Sequence, residues 1–541
     1  MLLLAGCATL AANAQYQVAN SGFENWEAVE YKKTLSTVKG EEPLSWNSFI
    51  TGTGGYKGTA AANQLEQTTD KRPGSSGSKS ARVYARSVYG IALAQGTLTT
   101  GCLNMGSMTA TDANGNYTYT NLDNGQNQKF TGRPDAMHVW VKYISSQTTY
   151  KAKASALLHT EGYYQDPYGN SSSITAELVA AATKTDIASS SSWQELTIPC
   201  VYESKFATEG RPAYALITFS TSSTPGKGDV DDQMFVDDLE FIYYSQLSDL
   251  KFNGATLAGF NKDTYAYEVV GMYTEGCLTY TSNGVGATVS ESYNAATKIA
   301  TITVKGDDIS VNASNYHTYT VKFNTPTYDY ADGAAFEVAP GVYNVKINRT
   351  FNAGWSTICL PFATTTSALG AGVKAQALSS ASETTLSFTG TETLEANKPY
   401  LVYFPSAVNS LSFTEVTVEE QAPVAVTFGA WTFEGTYAPS KPMSGLYGVA
   451  KQNGEDKILM GGTSAQIKAT RAFFSTTAAN VKEMGIELDG VVTAIDNVEM
   501  AGKKTFDVYS VSGALMRQGA TSLNGLHSGL YIINGKKVLV K

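Results

Sequence analysis

The sequence predicts an all-β chain made of several sandwich-like modules. Three observations lead there. At 541 residues the chain exceeds one ordinary domain. Its 49 Gly and 32 Tyr, with 16% charged residues, suit many short strands joined by turns. Alternating apolar and polar runs recur between turn residues, and no long amphipathic helical run stands out. The expected order is a leader over residues 1–14, a two-sheet sandwich or jelly roll over 15–245 and an immunoglobulin-like sandwich over 246–325. A β-rich module over 326–490 and a small C-terminal β unit over 491–541 complete it.

In the first module, Phe23-Glu24-Asn25-Trp26 and Pro43-Leu44-Ser45-Trp46 lead in, with both tryptophans beside apolar residues as core candidates. The stretch 71–80, KRPGSSGSKS, is a loop by composition. Strand-like runs follow at Ala81–Tyr89, Tyr117–Thr120, Met137–Tyr143, Gln194–Cys200, Ala213–Ser220 and Met234–Tyr244. Residues 173–187, SITAELVAAATKTDI, are expected to hold one short helix. The most informative run is FTGRPDAMHVWVKY, Phe130 to Tyr143. Gly132 and Pro134 make an entry turn; Met137, Val139, Val141 and Tyr143 then share one face of a strand, and His138, Trp140 and Lys142 the other. The first face reads as core. The second, a large ring between two polar neighbours, reads as a binding face or the underside of another layer.

The second module opens LSDLKFNGATLAGF, with Asn253-Gly254 as a tight turn, and closes on the alternating strand YHTYTVKF. Residues 324–330, NTPTYDY, form a linker. In the third module Trp355 precedes the run Ile358-Cys359-Leu360-Pro361-Phe362, and further strand candidates lie around Tyr400 and Phe473. The last unit reads as strand, turn at Ser512-Gly513, strand, then a hairpin around Asn534-Gly535.

The net charge of −9 and pI near 5.2 exclude a basic stripe, so nucleic acid is not an expected partner. Leu2 to Leu10 is too short to span a bilayer, and Ala12-Asn13-Ala14 is a small-x-small cleavage pattern, so residues 1–14 read as a signal peptide. The box around Cys7 is the lipoprotein alternative. Cys102, Cys200, Cys277 and Cys359 remain, without a CxxC pair, which excludes a zinc ribbon. Four thiols are preferred to a Cys102–Cys200 disulfide.

FENW, FTGRPDAMHVWVKY and MFVDDLEFIYY together resemble the putative carbohydrate metabolism domain family of Bacteroidetes surface proteins, over roughly residues 15–244. The resemblance implies a β jelly roll and sugar-related biology. LSDLKFNG…AGF resembles the immunoglobulin-like domain that accompanies such jelly rolls. Val508-Tyr509-Ser510-Val511-Ser512-Gly513, Ser528-Gly529-Leu530-Tyr531-Ile532 and the closing Lys-Val-Leu-Val-Lys resemble the C-terminal sorting domain of the type IX secretion system. That implies export through the secretion machinery, and a secreted or outer-membrane surface location. The basic residue is displaced to Arg517, and Ile495-Asp496-Asn497 replaces the usual lead-in.

The chain carries no GxSxG, HExxH or Walker loop. Its histidines, His138, His159, His317 and His527, are scattered. Sugar recognition needs a flat ring for the C–H face and polar neighbours for the hydroxyls. Trp140 with His138 and Lys142 meets that need, as do Tyr163, Tyr164 and Tyr168 in the loop 161–168. Asp229, Asp231 and Asp237 concentrate hard oxygen ligands, which suits structural calcium, with Arg133 or backbone N–H groups as the alternative partners of Asp237. Alternation places Phe235, Asp237, Leu239 and Phe241 on one face. Asp112, Asn114, Asn116 and Asp123 have calcium-loop spacing, but Tyr117 stands where Gly is required. The expected function is glycan binding by the jelly roll without catalysis. The alternatives are a glycoside hydrolase using jelly-roll carboxylates and a structural adhesin.

Overall fold

A computed structural model of the chain is almost entirely β. It describes residues 15–32, 36–57, 64–88, 90–382, 385–452, 454–478, 481, 483–489, 491–492, 505–520, 523, 525–533 and 536–540. The expected leader, Cys7 and Ile495-Asp496-Asn497 lie outside these. Two compact units are present, Met1–Val269 with Tyr273–Lys322, and Val270–Met272 with Phe323–Lys541.

The first unit begins with a hairpin of β1 (Trp26–Lys32) and β2 (Thr37–Pro43), then β3 (Leu65–Thr68), β4 (Ser80–Tyr84), the short β5 (Arg86–Val88) and β6 (Ala92–Ala94), and β7 (Thr97–Thr99). Next come β8 (Cys102–Met105), β9 (Asn116–Tyr119), β10 (Ala136–Ile144), β11 (Ala152–His159) and β12 (Gln165–Asp166). The series ends with β13 (Leu178–Ile187), β14 (Gln194–Pro199), β15 (Val201–Tyr202), β16 (Tyr214–Ser220) and β17 (Gln233–Ile242).

Two antiparallel five-stranded sheets form a jelly-roll sandwich, in the orders β14-β10-β17-β4-β3 and β15-β13-β11-β16-β7. Alternation dictates what lies between them. Met137, Val139, Val141 and Tyr143 of β10 face Ala152, Ala154, Ala156 and Leu158 of β11 across a closed core that includes Trp46. Trp26 packs against its edge. The segment expected to contain a helix is instead strand β13, paired with β11. Ala180 and Ala182 point into the core, so packing between the sheets overrides the helical preference of an alanine-rich run.

The alternation of β17 also breaks. Asp238 has φ +42, and the pairing of β10 with β17 shifts register between His138 and Trp140. This bulge reverses the phase of the strand. Met234, Val236, Leu239 and Phe241 therefore enter the core, while Phe235 and Asp237 lie on the outer face opposite Lys142 and Trp140. The expected single face with Leu239 and Phe241 is corrected accordingly.

A third layer, β12-β9-β8, covers part of the outer face of the second sheet. Leu157 and Leu216 of that sheet pack against Tyr164 and Ala176 in a satellite core. The four cysteines among the described residues are free thiols; Cys102, Cys277 and Cys359 are buried and Cys200 is half-buried.

The chain continues into an immunoglobulin-like sandwich of β18 (Leu247–Phe252), β19 (Ala255–Thr256), β20 (Ala266–Val270), β21 (Leu278–Ser282), β22 (Thr288–Asn294), β23 (Ile299–Lys305) and β24 (Tyr316–Asn324). Its sheets run β19-β18-β21 and β20-β24-β23-β22. Asn253 and Gly254 have φ +49 and +82, the left-handed pair that a two-residue hairpin turn requires.

In the second unit, Thr327–Ala331, Gly341–Asn348 and Leu411–Val418 form a three-stranded sheet whose first pair is parallel. Arg349 is wholly buried beside it and donates to the carbonyls of Thr470 (2.8 Å) and Thr357 (2.9 Å) and to the Ser356 hydroxyl (2.9 Å). A larger sheet runs on through Val491–Val492, which pairs in parallel with Lys536–Val540, into the C-terminal strands Gly529–Ile533, Phe506–Ser510 and Leu515–Ala520. Val508, Ala520, Tyr531, Ile533 and Val538 give this small β unit its own core. Among the described residues no helix is long and apolar enough to cross a membrane.

Candidate binding site

The outer face of β10 carries His138, Trp140 and Lys142, as alternation requires, but a loop lies across it. Arg72, in the Gly-rich loop 71–79, donates its backbone N–H to Asp237 (3.0 Å) and its Nε to Asp238 (2.6 Å). Its guanidinium sits 5.5 Å from the centroid of the Trp140 ring. Lys142 pairs with Asp70 and lies 4.2 Å from the centroid of Phe235, leaving its side chain 8% exposed. His138 Nε2 meets Glu195 at 2.9 Å. The three residues share a face, yet their polar ends are engaged by the protein and the Trp140 ring is partly roofed by Arg72.

Asp237, directly beside Trp140, is buried and accepts N–H bonds from Arg72 and Asp238. Burial pushes its carboxyl up to about 6. Arg133 is not its partner. The Arg133 guanidinium is held by the carbonyls of Gly210, Phe206 and Ala207. Nor do Asp229, Asp231 and Asp237 gather around one point. The first two precede β17 and the third lies in its middle. A strand advances ~3.3 Å per residue, more in total than ligands ~2.4 Å from a single calcium can span. Asp229 accepts from the Ser146 hydroxyl. Among the described residues no group of three or more His, Cys, Asp or Glu side chains is assembled as a metal site.

The tyrosines of the loop 161–168 separate into three environments. Tyr164 is buried and stacks on His159, with ring centroids 4.9 Å apart. Tyr163 packs on Tyr119 at 5.6 Å and donates to Gln165. Tyr168 is 56% exposed. His159 is itself enclosed between Tyr164 and Tyr214. Burial lowers its pKa to about 4, so near neutrality the ring is uncharged. Nδ1–H then donates to the Thr160 carbonyl (2.8 Å), and Nε2 accepts from the Thr120 hydroxyl (2.7 Å). Both ring nitrogens are occupied by structure, which removes His159 as a catalytic base.

A concavity lies elsewhere, between the second sheet and the third layer. It is a cleft of about 220 Å³. Its floor is Thr97, Lys153, Thr218 and Ser220 from the sheet. Its walls bring Phe49, Tyr56, Leu103, Met105, Tyr117 and Pro167. Lys153 and Asp166 pair at 2.6 Å and are the charged groups among the described lining residues. Thr118 Oγ1 meets Thr218 Oγ1 at 3.2 Å, which in turn meets Thr99 Oγ1 at 3.2 Å, and Thr99 donates to the Ile217 carbonyl (2.7 Å).

The wall carrying Phe49 is clamped from below. Glu42 is buried and accepts from the backbone N–H of Ser48 (2.7 Å) and the hydroxyls of Ser48 and Thr51. Burial raises its pKa, against the lowering effect of these donors. Thr53 then exchanges backbone bonds with Leu103 and Met105 of β8, fixing the loop to the third layer. On the opposite side Gln95 donates to the Ser222 carbonyl at 2.7 Å.

Sequence reading touched this cleft through the loop 161–168, which supplies Asp166 and Pro167, and through Asn116 and Tyr117 of the failed calcium-loop match. The remaining lining comes from short, separate stretches. The usable signal was Lys153, a charge on the outward side of the otherwise apolar strand AKASALLH.

No family model matches the chain, and no curated protein matches it. Among solved structures it is similar to two proteins described as putative glycoside hydrolases. One, from Bacteroides thetaiotaomicron, shows 16% identity over 43% of this chain and 72% of that one, with a TM-score of 0.30. The other, from Bacteroides vulgatus, shows 16% identity over 42% of this chain and 98% of that one, with a TM-score of 0.29. TmCBM61 in complex with beta-1,4-galactotriose is similar over 41% of this chain and 90% of its own at 8% identity and a TM-score of 0.16. At these TM-scores the reading of the cleft rests on its own geometry.

Proposed function

We propose that the jelly roll binds a glycan in the cleft between its second sheet and its third layer, without cleaving it. The observation that carries this reading is the composition of the lining. Hydroxyls of Thr97, Thr118 and Thr218 share the lining with the rings of Phe49, Tyr56 and Tyr117. A sugar ring needs both, rings for its C–H face and hydrogen-bond partners for its hydroxyls. Hydrolysis by the common retaining and inverting routes uses two carboxyl groups flanking the scissile bond. Among the described lining residues Asp166 is the single carboxylate, and Lys153 neutralises it. We further propose that the chain is exported and displayed at the cell surface, a reading supported by the C-terminal motifs.

Glycan-array binding by the full chain tests the first proposal. Retention should be lost in Tyr117→Ala and Phe49→Ala and kept in Trp140→Ala, with no reducing ends released from bound polysaccharide. Loss of binding in Trp140→Ala alone would move the site to the outer face of β10. Reducing-end release abolished by Asp166→Asn would make the protein a hydrolase.

A further inference from the structure

We propose that the sugar residue held in the cleft carries a methyl group, as an N-acetyl or a 6-deoxy substituent, and is uncharged; this rests on the glycan-binding reading above. Beside the ring-bearing wall, the cleft is lined by Val88, Leu93, Leu103, Met105 and Met108. An unsubstituted hexose bears an oxygen on every ring carbon. Pressed against these side chains, its hydroxyls would leave water without a replacement partner. A methyl group on the same ring finds contact atoms there, and the two methionines can adjust to its shape. The volume of about 220 Å³ lies below the ~300–1,000 Å³ that encloses a drug-sized ligand, and suits one sugar residue of a longer chain.

The charge of the ligand follows from Lys153. Its ammonium is already held by Asp166, so among the described lining residues there is no unpaired cation for a uronate or a sulfate. The same lining also carries the hydroxyls of Thr97, Thr118, Thr218 and Ser220. A residue with both hydroxyls and a methyl group matches that mixed lining.

Calorimetric titration of the full chain separates the possibilities. The probes are an N-acetylglucosamine trimer against a glucose trimer, and a rhamnose-bearing trisaccharide against its mannose counterpart. One methyl-bearing probe should bind at least about tenfold more tightly than its partner, the order of discrimination an apolar pocket shows between a methyl group and a hydroxyl it cannot satisfy. The pair that shows the difference identifies the source of the methyl. Met108 is 39% exposed, so Met108→Gln spares the buried core and should bring the affinity ratio of the two probes in a pair toward one. Equal or tighter binding of the unsubstituted probes, sensitive to Tyr117→Ala, would overturn the methyl assignment and leave glycan binding standing. Failure of every probe together with an unresponsive glycan array would overturn both.

Discussion

Arg211 of the jelly roll donates from both terminal nitrogens to the carboxylate of Asp307 in the immunoglobulin-like sandwich. Asp307 also accepts the backbone N–H of Arg133 at 2.8 Å, and its side chain is 3% exposed. Two residues on, Asp135 accepts the N–H groups of Tyr244 and Val285, both at 2.7 Å. Gly-Arg-Pro-Asp is thus the joint between these two sandwiches. Asp307→Ala leaves Arg211 half-exposed to water but strips the Arg133 amide of its partner, at a cost of about 2 kcal/mol. The expected result is an earlier, separate unfolding of the immunoglobulin-like sandwich in calorimetry, with faster proteolysis near Tyr244. A single unshifted transition would mean that the joint is held by other contacts.

His159 makes the first unit sensitive to acid. Folding depresses its pKa from the ordinary 6.5 to about 4, so the unfolded chain binds a proton that the folded chain refuses. The stabilisation is complete above pH 6.5 and is lost as pH falls toward 4, by up to about 3 kcal/mol. Urea midpoints measured across that range should decline in the native protein and flatten in His159→Gln. An unchanged slope in the variant would assign the effect to other groups.

Asp237 acts with the opposite sign. Burial raises its carboxyl from 3.8 to about 6, so its contribution is full below pH 3.8 and is lost as pH climbs through 6. Asp237→Asn should therefore raise the melting temperature at pH 7 and change little at pH 4. Calcium added to the native protein at pH 7 should not reproduce that rise if Asp237 relies on backbone N–H groups alone; a rise abolished by Asp237→Asn would restore a metal role.

Arg349 anchors the second unit through carbonyl and hydroxyl acceptors. Its guanidinium also sits 4.2 Å from the centroid of Phe351. Arg349→Met would abandon buried acceptors in two segments and should destabilise this unit by about 3 kcal/mol. Denaturant titration followed by tryptophan fluorescence checks it; a loss under about 1 kcal/mol would imply that water replaces the guanidinium.

Deletion of residues 491–541 addresses export. If the C-terminal unit directs secretion, the truncated chain should accumulate in the periplasm and disappear from the cell surface, read by protease shaving of intact cells. Normal display of a truncated, folded protein would make the unit a resident module.

Much of the fold was legible because alternation is a local property. Met137, Val139, Val141 and Tyr143 were placed in the core by their spacing alone, and Asn253-Gly254 by the backbone angles its turn demands. What failed depended on distant partners. Arg133 and Asp307 are separated by 174 residues, so the purpose of Gly-Arg-Pro-Asp cannot be read from its neighbours. The bulge at Asp238 moved Phe235 to the opposite face from Leu239 without a glycine to announce it. The cleft was hidden for a related reason: it exists only where a third layer of short strands is laid on a sheet.

The row of Thr99, Thr218 and Thr118 has a consequence of its own. Thr99 gives its proton to the Ile217 carbonyl and so accepts from Thr218, and Thr118 gives its own to Thr218 or to the Asp166 carbonyl at 3.3 Å. Either way the Thr118 proton is committed within the protein. What the row presents to an arriving molecule is the lone pairs of the Thr118 oxygen. A ligand hydroxyl placed there enters as a donor, and an ether or carbonyl oxygen at the same point would be turned away.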